Sequence, residues 1–271
     1  SDPETEVIIL YLEGISDGRR LMDLARRSTK PILVHKSNIG ESAHGIATSH
    51  TAALSADDAV VDAALRQAGI ARFRDSETLV LFLKALTLPS LDGNRLAVLS
   101  RSGGHAVIAA DECDLTGFEL AELPQEFLNE VQGMLRANVI RLTNPMDLGD
   151  LFDTELYVEL AARTLAMRTV DGMVFMHTYM AQHEGEPSQH LFERLLELSR
   201  QAAKPVGIYA ATEAGEVSRL KRTLDGPIFS EPSVAVRSLA LLRDFRNRVV
   251  RQPIVPRGHG SAARVRPAIE A

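Results

Sequence analysis

The sequence predicts an α/β protein built from parallel sheets, and two observations carry this prediction. Residues 7–12 and 95–100 are short, mostly apolar runs, which are typical of strands buried on both faces of a sheet. Such runs alternate along the chain with longer segments of helical pattern. Strands that alternate with helices favour a parallel sheet flanked by helices.

The first predicted unit spans residues 1–88. Strands are expected at residues 7–12 and 31–34, with a short edge strand at 70–73. Helices are expected at residues 19–27, 57–68 and 76–86, the last of them capped by Ser76. Residues 89–94 are rich in turn-forming residues and are predicted to be a linker.

The second predicted unit spans residues 95–250 and repeats the alternation. We expect strands at residues 95–100, 172–176 and 205–209. We expect helices at residues 103–115, 124–135, 154–167, 188–203, 213–224 and 232–248. Both units are therefore predicted to be flavodoxin-like. Residues 251–271 lack a core pattern and are predicted to be a flexible tail or linker.

Composition and charge exclude several classes of protein. The chain has 271 residues, 45% hydrophobic and 24% charged, with a formal net charge of -6. An acidic balance argues against nucleic-acid binding, and no apolar run approaches the ~20 residues of a membrane-spanning helix. The single cysteine, Cys113, cannot form an internal disulfide, so we expect a cytoplasmic protein in which it is a small buried apolar residue.

The histidines outside the segment around residue 50 do not predict a metal site. Their spacings fit no two-by-two ligand pattern. We expect no metal site in this chain and expect solvated or loop positions for His44, His105, His177, His183 and His190.

Glu13 and His50 each follow a predicted strand. Glu13 comes directly after residues 7–12, and His50 lies between the strand at 31–34 and the next helix. Because the carboxyl ends of parallel strands meet at one edge, we expect both side chains there. A carboxylate that accepts the Nδ1 proton would leave Nε2 of the imidazole free to act as a nucleophile. From the residues alone, an exposed turn for Glu13 and a helix cap or solvated loop for His50 stay open.

Two segments could supply donors to an anion at this edge. Ser49 and Thr51 flank His50 with hydroxyl groups and helix-capping potential. Ser102, Gly103 and Gly104 follow a predicted strand and open an alanine-rich helix. A strand, a glycine turn and a helix together aim free backbone amides at a phosphate, although most such turns only connect elements.

Asn144 and Asp147 lie in the segment Thr-Asn-Pro-Met-Asp at residues 143–147. Both side chains can brace a tight turn through hydrogen bonds to the backbone. We favour this structural role over direct chemistry.

These motifs resemble the NDP-forming acyl-CoA synthetases, the family of succinyl-CoA synthetase and the ADP-forming acetyl-CoA synthetases. The resemblance runs from about residue 2 to residue 249 and is most specific at Ser-His-Thr, residues 49–51. It implies two flavodoxin-like domains of an acid–thiol ligase in which His50 carries a phosphoryl group between acyl phosphate and ADP or GDP. It also implies that Glu13 contacts the phosphohistidine, and that phosphate is held near Ser49, Thr51, Ala52, Ser102, Gly103 and Gly104.

The same resemblance implies partners and cofactors that this chain is not expected to bind alone. The complete enzyme would use CoA, ATP or ADP, Mg²⁺ and a small carboxylic acid, and could be an oligomer. A CoA-binding domain and an ATP-grasp domain are expected in cis or in trans, because neither is recognisable in the chain.

Two departures from the family pattern stand near the predicted site. Ala52 replaces a usual glycine, and Asn38-Ile39-Gly40 replaces Gly-Arg-Ser. The alternative function is a non-catalytic, synthetase-like regulatory or binding module of a fusion protein. The presence of both His50 and Glu13 favours the enzyme.

Overall fold

The computed structural model describes residues 2–40, 57–135, 142–149 and 151–250, with residues 248–250 described by their backbone alone. Ser49, His50, Thr51, Ala52 and the predicted tail at 251–271 lie outside the described residues.

The first unit contains a small parallel sheet. Its elements are β1 (Ile8–Leu12), α1 (Gly18–Arg27), β2 (Ile32–Lys36), α2 (Asp58–Gln67), β3 (Ala71–Arg72) and α3 (Ser76–Ala85). The three strands lie in the order β1-β2-β3, and both pairs are parallel.

The two faces of this sheet differ in how they are covered. On one face, side chains of β1 and β2 pack against α1 and α2 in a cluster that includes Ala25 and Leu65. On the other face, Leu33 packs against Phe73 and Phe82. The β1 half of that second face stays largely open to solvent.

The second unit contains a larger parallel sheet. Its elements are β4 (Arg95–Ser100), α4 (Gly103–Thr116), β5 (Glu119–Leu120), α5 (Gln125–Met134), β6 (Met146–Asp147), α6 (Thr154–Ala166), β7 (Gly172–Thr178), α7 (Ala181–Ala202), β8 (Val206–Ala211), α8 (Ala214–Thr223), β9 (Ile228–Phe229) and α9 (Pro232–Val250). The strand order is β5-β4-β7-β8-β9, with β6 paired to β4 beside β5.

This strand order confirms the predicted fold class. With the two-residue β6 set aside, the strands follow the order 2-1-3-4-5 of flavodoxin-like sheets. The connection reverses direction between β4 and β7, and the carboxyl ends of these two strands form the crevice where such sheets bind ligands.

Helices cover both faces of the second sheet. One core cluster joins the sheet to α5, α6, α7 and α8, with Phe175 and Leu195 among its buried members. The other joins it to α4 and α9 and includes Val98, Val174 and Cys113. Cys113 is fully buried, as its sequence context predicts.

The two units share packing through α3. Leu81 and Ala85 of α3 belong to the core of the second unit, and Lys221 forms an ion pair with Glu77 of the same helix. Leu91, in the predicted linker, is fully buried in that core as well. The connection at 89–94 is therefore anchored by an apolar side chain. The domain boundary itself stays a prediction.

Some local expectations were wrong. The helix expected at 188–203 begins seven residues earlier and carries Pro187 inside it, because a helix can continue past a proline that removes one hydrogen bond. The cap of α3 is Asp75, whose carboxylate accepts the Thr78 N–H at 2.7 Å, and not Ser76. No described helix is long and apolar enough to cross a membrane.

Candidate active site

The carboxyl edge of the first sheet brings Glu13 next to the end of β2. Leu12 is the register partner of Lys36, and the Ser37 N–H donates to the Leu12 carbonyl at 3.0 Å. Glu13 therefore emerges beside the segment through which β2 leads into residues 41–56. The structure describes Glu13 at this edge, while His50 and its neighbours Ser49, Thr51 and Ala52 lie outside the described residues.

The Glu13 carboxylate is half-buried and only partly satisfied. Its Oε2 atom is buried and has no hydrogen-bond partner among the residues that the structure describes. The ammonium group of Lys36, which is only 4% exposed, donates to the carbonyl oxygens of Ser37 and Asn38. Burial lowers the pKa of Lys36, and the charges of Asp58 and Glu13 partly oppose this shift. A buried cation thus lies within electrostatic range of the Glu13 carboxylate.

Asn38 adds an unusual polar group to the same edge. Its backbone is left-handed, with φ of 58°, a conformation that asparagine tolerates better than most residues other than glycine. This conformation accounts for asparagine at a position where the resembling family has glycine. Within the described ranges, both polar atoms of the side chain, Oδ1 and Nδ2, are buried without a hydrogen-bond partner.

The glycine turn in the second unit begins at the end of β4. The Ser100 hydroxyl donates to the Ser102 carbonyl at 2.7 Å and accepts the Ser102 N–H at 3.0 Å. Ser102 is the N-cap of α4 and makes no side-chain capping bond. The first backbone bond of the helix joins the Ala106 N–H to the Ser102 carbonyl at 3.0 Å.

The first turn of α4 therefore presents free donors. Within the described part of the chain, the N–H groups of Gly103, Gly104 and His105 have no hydrogen-bond acceptor. They lie at the positive end of a helix of 14 residues. They also lie at the switch point between β4 and β7, because the Arg101 N–H donates to the Met176 carbonyl at 2.9 Å. Free N–H groups at the start of a helix can bind an anion; that they do so here stays a prediction.

Asp147 fits closely against this turn. Met146 and Asp147 pair with Leu99 and Ser100 of β4. A Cβ atom on Gly103 would lie 2.6 Å from Oδ2 of Asp147, so this approach requires a glycine. The other oxygen of Asp147 accepts the Gly149 N–H at 3.1 Å. Gly104 has no such neighbour, the nearest atom being the Ser102 hydroxyl at 4.0 Å.

Asn144 links three strand segments behind the turn. Its Oδ1 accepts the Val98 N–H at 2.9 Å, and its Nδ2 donates to the carbonyls of Leu96 and Ala121 at 2.8 and 2.9 Å. These bonds fill the stretch of β4 between its pairings with β5 and β6. The Asn144–Pro145 peptide bond is cis. The side-chain amide of Asn144 therefore uses its hydrogen bonds to brace the sheet.

Residues that sequence reasoning missed surround the 102–104 turn. Arg101 forms an ion pair with Glu184 at 2.7 Å and lies over the ring of Phe152, 4.8 Å from its centre. The His105 ring packs edge-on against Tyr209 at 5.0 Å. The sequence signal that could have identified Arg101 is its position directly before Ser102.

The expectation that His177 is solvated or lies in a loop is wrong. It lies in β7 and is 1% exposed, because helices cover both faces of this central strand. Its Nε2 is 3.1 Å from the Ser188 hydroxyl, and burial together with the charge of Arg101 lowers its pKa to about 3. A neutral imidazole therefore lies near the switch point. His183 and His190 are exposed on α7, so the expectation of solvated positions is confirmed for them, and the half-buried His105 lies in α4.

The part of the chain that the structure describes contains no ligand set for a metal ion. No group of three or more His, Cys, Asp or Glu side chains converges there on a metal position.

Comparison with known proteins identifies relatives of the chain. Residues 1–86 match the family described as the succinyl-CoA ligase-like flavodoxin domain. The alpha subunit of an ADP-forming acetate–CoA ligase II from Pyrococcus furiosus is 29% identical over 251 residues, which are 90% of this chain and 54% of the relative. An ADP-forming acetate–CoA ligase I from Archaeoglobus fulgidus is 31% identical over 254 residues, which are 89% of this chain and 34% of the relative.

A solved structure shows the same fold. An acetyl-coenzyme A synthetase 1 from Ca. Korarchaeum cryptofilum, solved with phosphate and ADP, superposes with a TM-score of 0.75 at 26% identity, over 92% of this chain and 55% of that one. The chain spans about half the length of this structure and of the Pyrococcus relative. The resemblance read from the motifs is confirmed, and the chain is a homologue of the ADP-forming acyl-CoA synthetases.

Proposed function

We propose that this chain is the phosphoryl-relay part of an ADP-forming acyl-CoA synthetase. In the proposed direction, Nε2 of His50 attacks the γ-phosphorus of ATP and ADP leaves. A carboxylate oxygen of the acid then attacks the phosphorus and releases the imidazole as an acyl phosphate forms. The thiolate of CoA attacks the acyl carbon, and inorganic phosphate leaves as acyl-CoA forms.

The observation that supports this proposal most is the first turn of α4. Its N–H groups of Gly103, Gly104 and His105 have no acceptor among the described residues and lie at the switch point of a flavodoxin-like sheet. Charge-assisted bonds to a phosphoryl group are worth about 1.5–3 kcal/mol each. Three aligned donors, reinforced by the helix dipole, suit the phosphoryl group of a phosphohistidine or an acyl phosphate.

We assign to Glu13 the role of orienting the imidazole of His50. Its unpaired Oε2 is suited to accept the Nδ1 proton, which fixes the tautomer and keeps Nε2 available. The buried ammonium group of Lys36 lies at the same sheet edge. Ser49, Thr51 and Ala52 are proposed to contribute further donors around the phosphoryl group.

We infer the partners from the fraction of each relative's length that the chain covers. The chain matches about half of an alpha subunit, so we propose that CoA and nucleotide are bound by other parts of the complete enzyme, a CoA-binding domain and an ATP-grasp domain. The substrate is proposed to be a small carboxylic acid and the nucleotide ADP, with Mg²⁺ bound by those other parts.

The test is phosphorylation of the complete enzyme with γ-labelled ATP. Phosphohistidine is labile to acid and stable to alkali, so the label should be lost on acid treatment and kept in alkali. His50→Ala should abolish this label, and Glu13→Gln should slow its appearance by at least about tenfold, which corresponds to 1.4 kcal/mol of transition-state stabilisation. His44→Ala is the matched control, because it removes a histidine from the same segment and should leave the label unchanged.

Undiminished acid-labile label in the His50→Ala protein would remove His50 from the relay. Absence of any label in the complete wild-type enzyme, with ligand binding retained, would favour the regulatory module instead.

A further inference from the structure

Arg101 lies at the switch point of the second sheet, directly before the turn at residues 102–104. Its side chain is only 7% exposed, and Nη1 donates to Oε1 of Glu184 at 2.7 Å. Neither Nε nor Nη2 has an acceptor among the residues that the structure describes. The edge of a guanidinium group that carries two parallel N–H donors matches the two oxygens of a carboxylate. Arg101 is therefore suited to bind an anion in addition to Glu184.

Two contacts hold the guanidinium group in place without using these donors. Glu184 lies in the first turn of α7 and binds the group at Nη1. Phe152 precedes α6, and the guanidinium carbon lies over its ring, 4.8 Å from the ring centre. Because these contacts already order the side chain, binding of an anion to Arg101 costs little further side-chain entropy.

A buried imidazole lies within electrostatic range of Arg101 and does not neutralise its charge. Burial and the charge of Arg101 lower the pKa of His177 to about 3, so its ring is neutral near pH 7. Its Nε2 lies 3.1 Å from the Ser188 hydroxyl, and its Nδ1 is buried without a hydrogen-bond partner in the described ranges. Buried polar atoms without a partner are uncommon. A polar ligand next to Arg101 would account for this one.

Two large apolar side chains are exposed next to the ion pair of Arg101 and Glu184. Phe152 is 62% exposed and Met180 is 58% exposed. Met180 is the N-cap of α7, and its carbonyl accepts the Glu184 N–H at 2.9 Å. Aromatic and thioether side chains make favourable contacts with apolar and aromatic groups. A ligand whose carboxylate binds Arg101 can therefore place its apolar body against Phe152 and Met180.

We propose that Arg101, Phe152 and Met180 form the binding site for the carboxylic acid, and that this acid carries a branched or aromatic apolar body. The Nε and Nη2 groups of Arg101 donate to the carboxylate. Because Arg101 and Ser102 are consecutive, the carboxylate lies beside the turn to which we assign the phosphoryl group. The role of this ligand as a substrate rests on the proposed function, whereas its binding does not.

Equilibrium binding to the complete enzyme tests Arg101 without any phosphoryl transfer. In ligand-observed NMR titrations, Arg101→Gln should raise the dissociation constant of phenylacetate at least about tenfold. Arg101→Lys keeps the charge but cannot form two parallel bonds, so it should show a smaller loss. Arg163→Gln is the matched control and should leave the constant unchanged. Arg163 also pairs with a glutamate, Glu130, and lies over a phenylalanine ring, but near the other end of α6.

A series of acids tests the apolar part of the site. The wild type should bind phenylacetate and isobutyrate at least about tenfold more tightly than acetate, because their larger apolar bodies leave water. Phe152→Ala and Met180→Ala should each reduce this preference at least about threefold and leave the affinity for acetate within about twofold. Leu115→Ala, at an exposed apolar position near the end of α4, should change neither.

Labelling with γ-labelled ATP separates this proposal from the relay. The Arg101→Gln enzyme should gain acid-labile label at the wild-type rate, because the acid enters after that step. It should need at least about tenfold more phenylacetate to lose the label, so that KM for the acid changes more than kcat. Absence of label in the wild type, with phenylacetate binding lost in Arg101→Gln, would overturn the relay and support the acid site.

Three results would overturn the acid site and leave the relay standing. One is normal labelling with unchanged phenylacetate binding in Arg101→Gln. Another is an equal loss of binding in Arg163→Gln, which would show a general structural effect. The third is a loss of inorganic phosphate binding in Arg101→Gln while phenylacetate binding is unchanged, which would assign Arg101 to the phosphoryl group.

Discussion

Acid should destabilise the second unit through His177. The ring of this residue is packed edge-on against Tyr157 and Phe192 at 5.7 and 5.8 Å, and its Nδ1 is buried without a partner in the described part of the chain. Burial, reinforced by the positive charge of Arg101, lowers the pKa from 6.5 to about 3. The folded protein therefore holds this imidazole neutral at pH values where the unfolded chain protonates it.

The size of the effect follows from the two pKa values. Between pH 6.5 and pH 3 the unfolded state binds a proton that the folded state does not, so stability is complete above pH 6.5 and falls as the pH falls. Each pH unit in this window removes about 1.4 kcal/mol. His177 should thus lower the free energy of unfolding by about 2 kcal/mol between pH 6.5 and pH 5, and by about 5 kcal/mol at pH 3.

Urea unfolding at pH 7.5 and pH 5 measures this loss. Tyrosine fluorescence suits the purpose, because Tyr157 and Tyr179 lie next to His177 and the chain has no tryptophan. His177→Phe keeps an aromatic ring and removes the titrating group, so its free energy of unfolding should fall by about 2 kcal/mol less than that of the wild type. His190→Gln is the control, because that side chain is 59% exposed and should leave the wild-type pH dependence unchanged.

Two results would refute this reasoning. One is an equal loss of stability in the wild type and in His177→Phe between the two pH values. The other is an NMR titration in which the His177 ring of the folded protein protonates near pH 6.5.

Two further predictions concern backbone positions near the sheet edges. Gly103→Ala should lower the free energy of unfolding by about 1–3 kcal/mol, because the new methyl group meets the Asp147 carboxylate. Gly104→Ala, the matched control, should raise the free energy of unfolding by up to about 1 kcal/mol, because alanine has the higher helix propensity. Thermal melts compare the two variants, and equal effects would contradict the close contact at residue 103. Asn38→Gly should raise the free energy of unfolding by about 1 kcal/mol and the urea midpoint with it. The substitution removes two buried unpaired atoms and puts glycine where the backbone is left-handed. A lowered midpoint would contradict this prediction.

Much of the fold could be predicted because strands buried on both faces leave a local signal. β1, β2, β4, β7 and β8 each appear within three residues of the expected runs. The two-residue strands β5, β6 and β9 were not predicted, since their pairing is imposed by neighbouring strands rather than by their own pattern. The early start of α7 was missed for a related reason, because Pro187 signals a helix boundary locally while packing against the sheet extends the helix through it.

The candidate site could be predicted where it depends on chain order. Glu13 and Ser102 directly follow strands, and strand ends share an edge in any parallel sheet, so their positions follow from topology. The burial of Lys36, the unpaired amide of Asn38 and the approach of Asp147 to Gly103 depend on distances between elements distant in sequence. No local pattern encodes those distances.

The unpaired polar atoms at the first sheet edge bear on the choice between an enzyme and a regulatory module. Among the described residues, Glu13 contributes one buried unpaired oxygen and Asn38 contributes two such atoms. Leaving a buried polar group without a partner costs about 1–3 kcal/mol, a large fraction of the roughly 5–15 kcal/mol that separates folded from unfolded domains. Asn38 does not discriminate between the two functions, because glycine is usual at this position in the family that the chain resembles. A module that never receives a polar group at this edge would be stabilised by an apolar or smaller residue at position 13. The unpaired carboxylate of Glu13 is explained if a polar group is delivered to it during function, which is what a histidine relay requires.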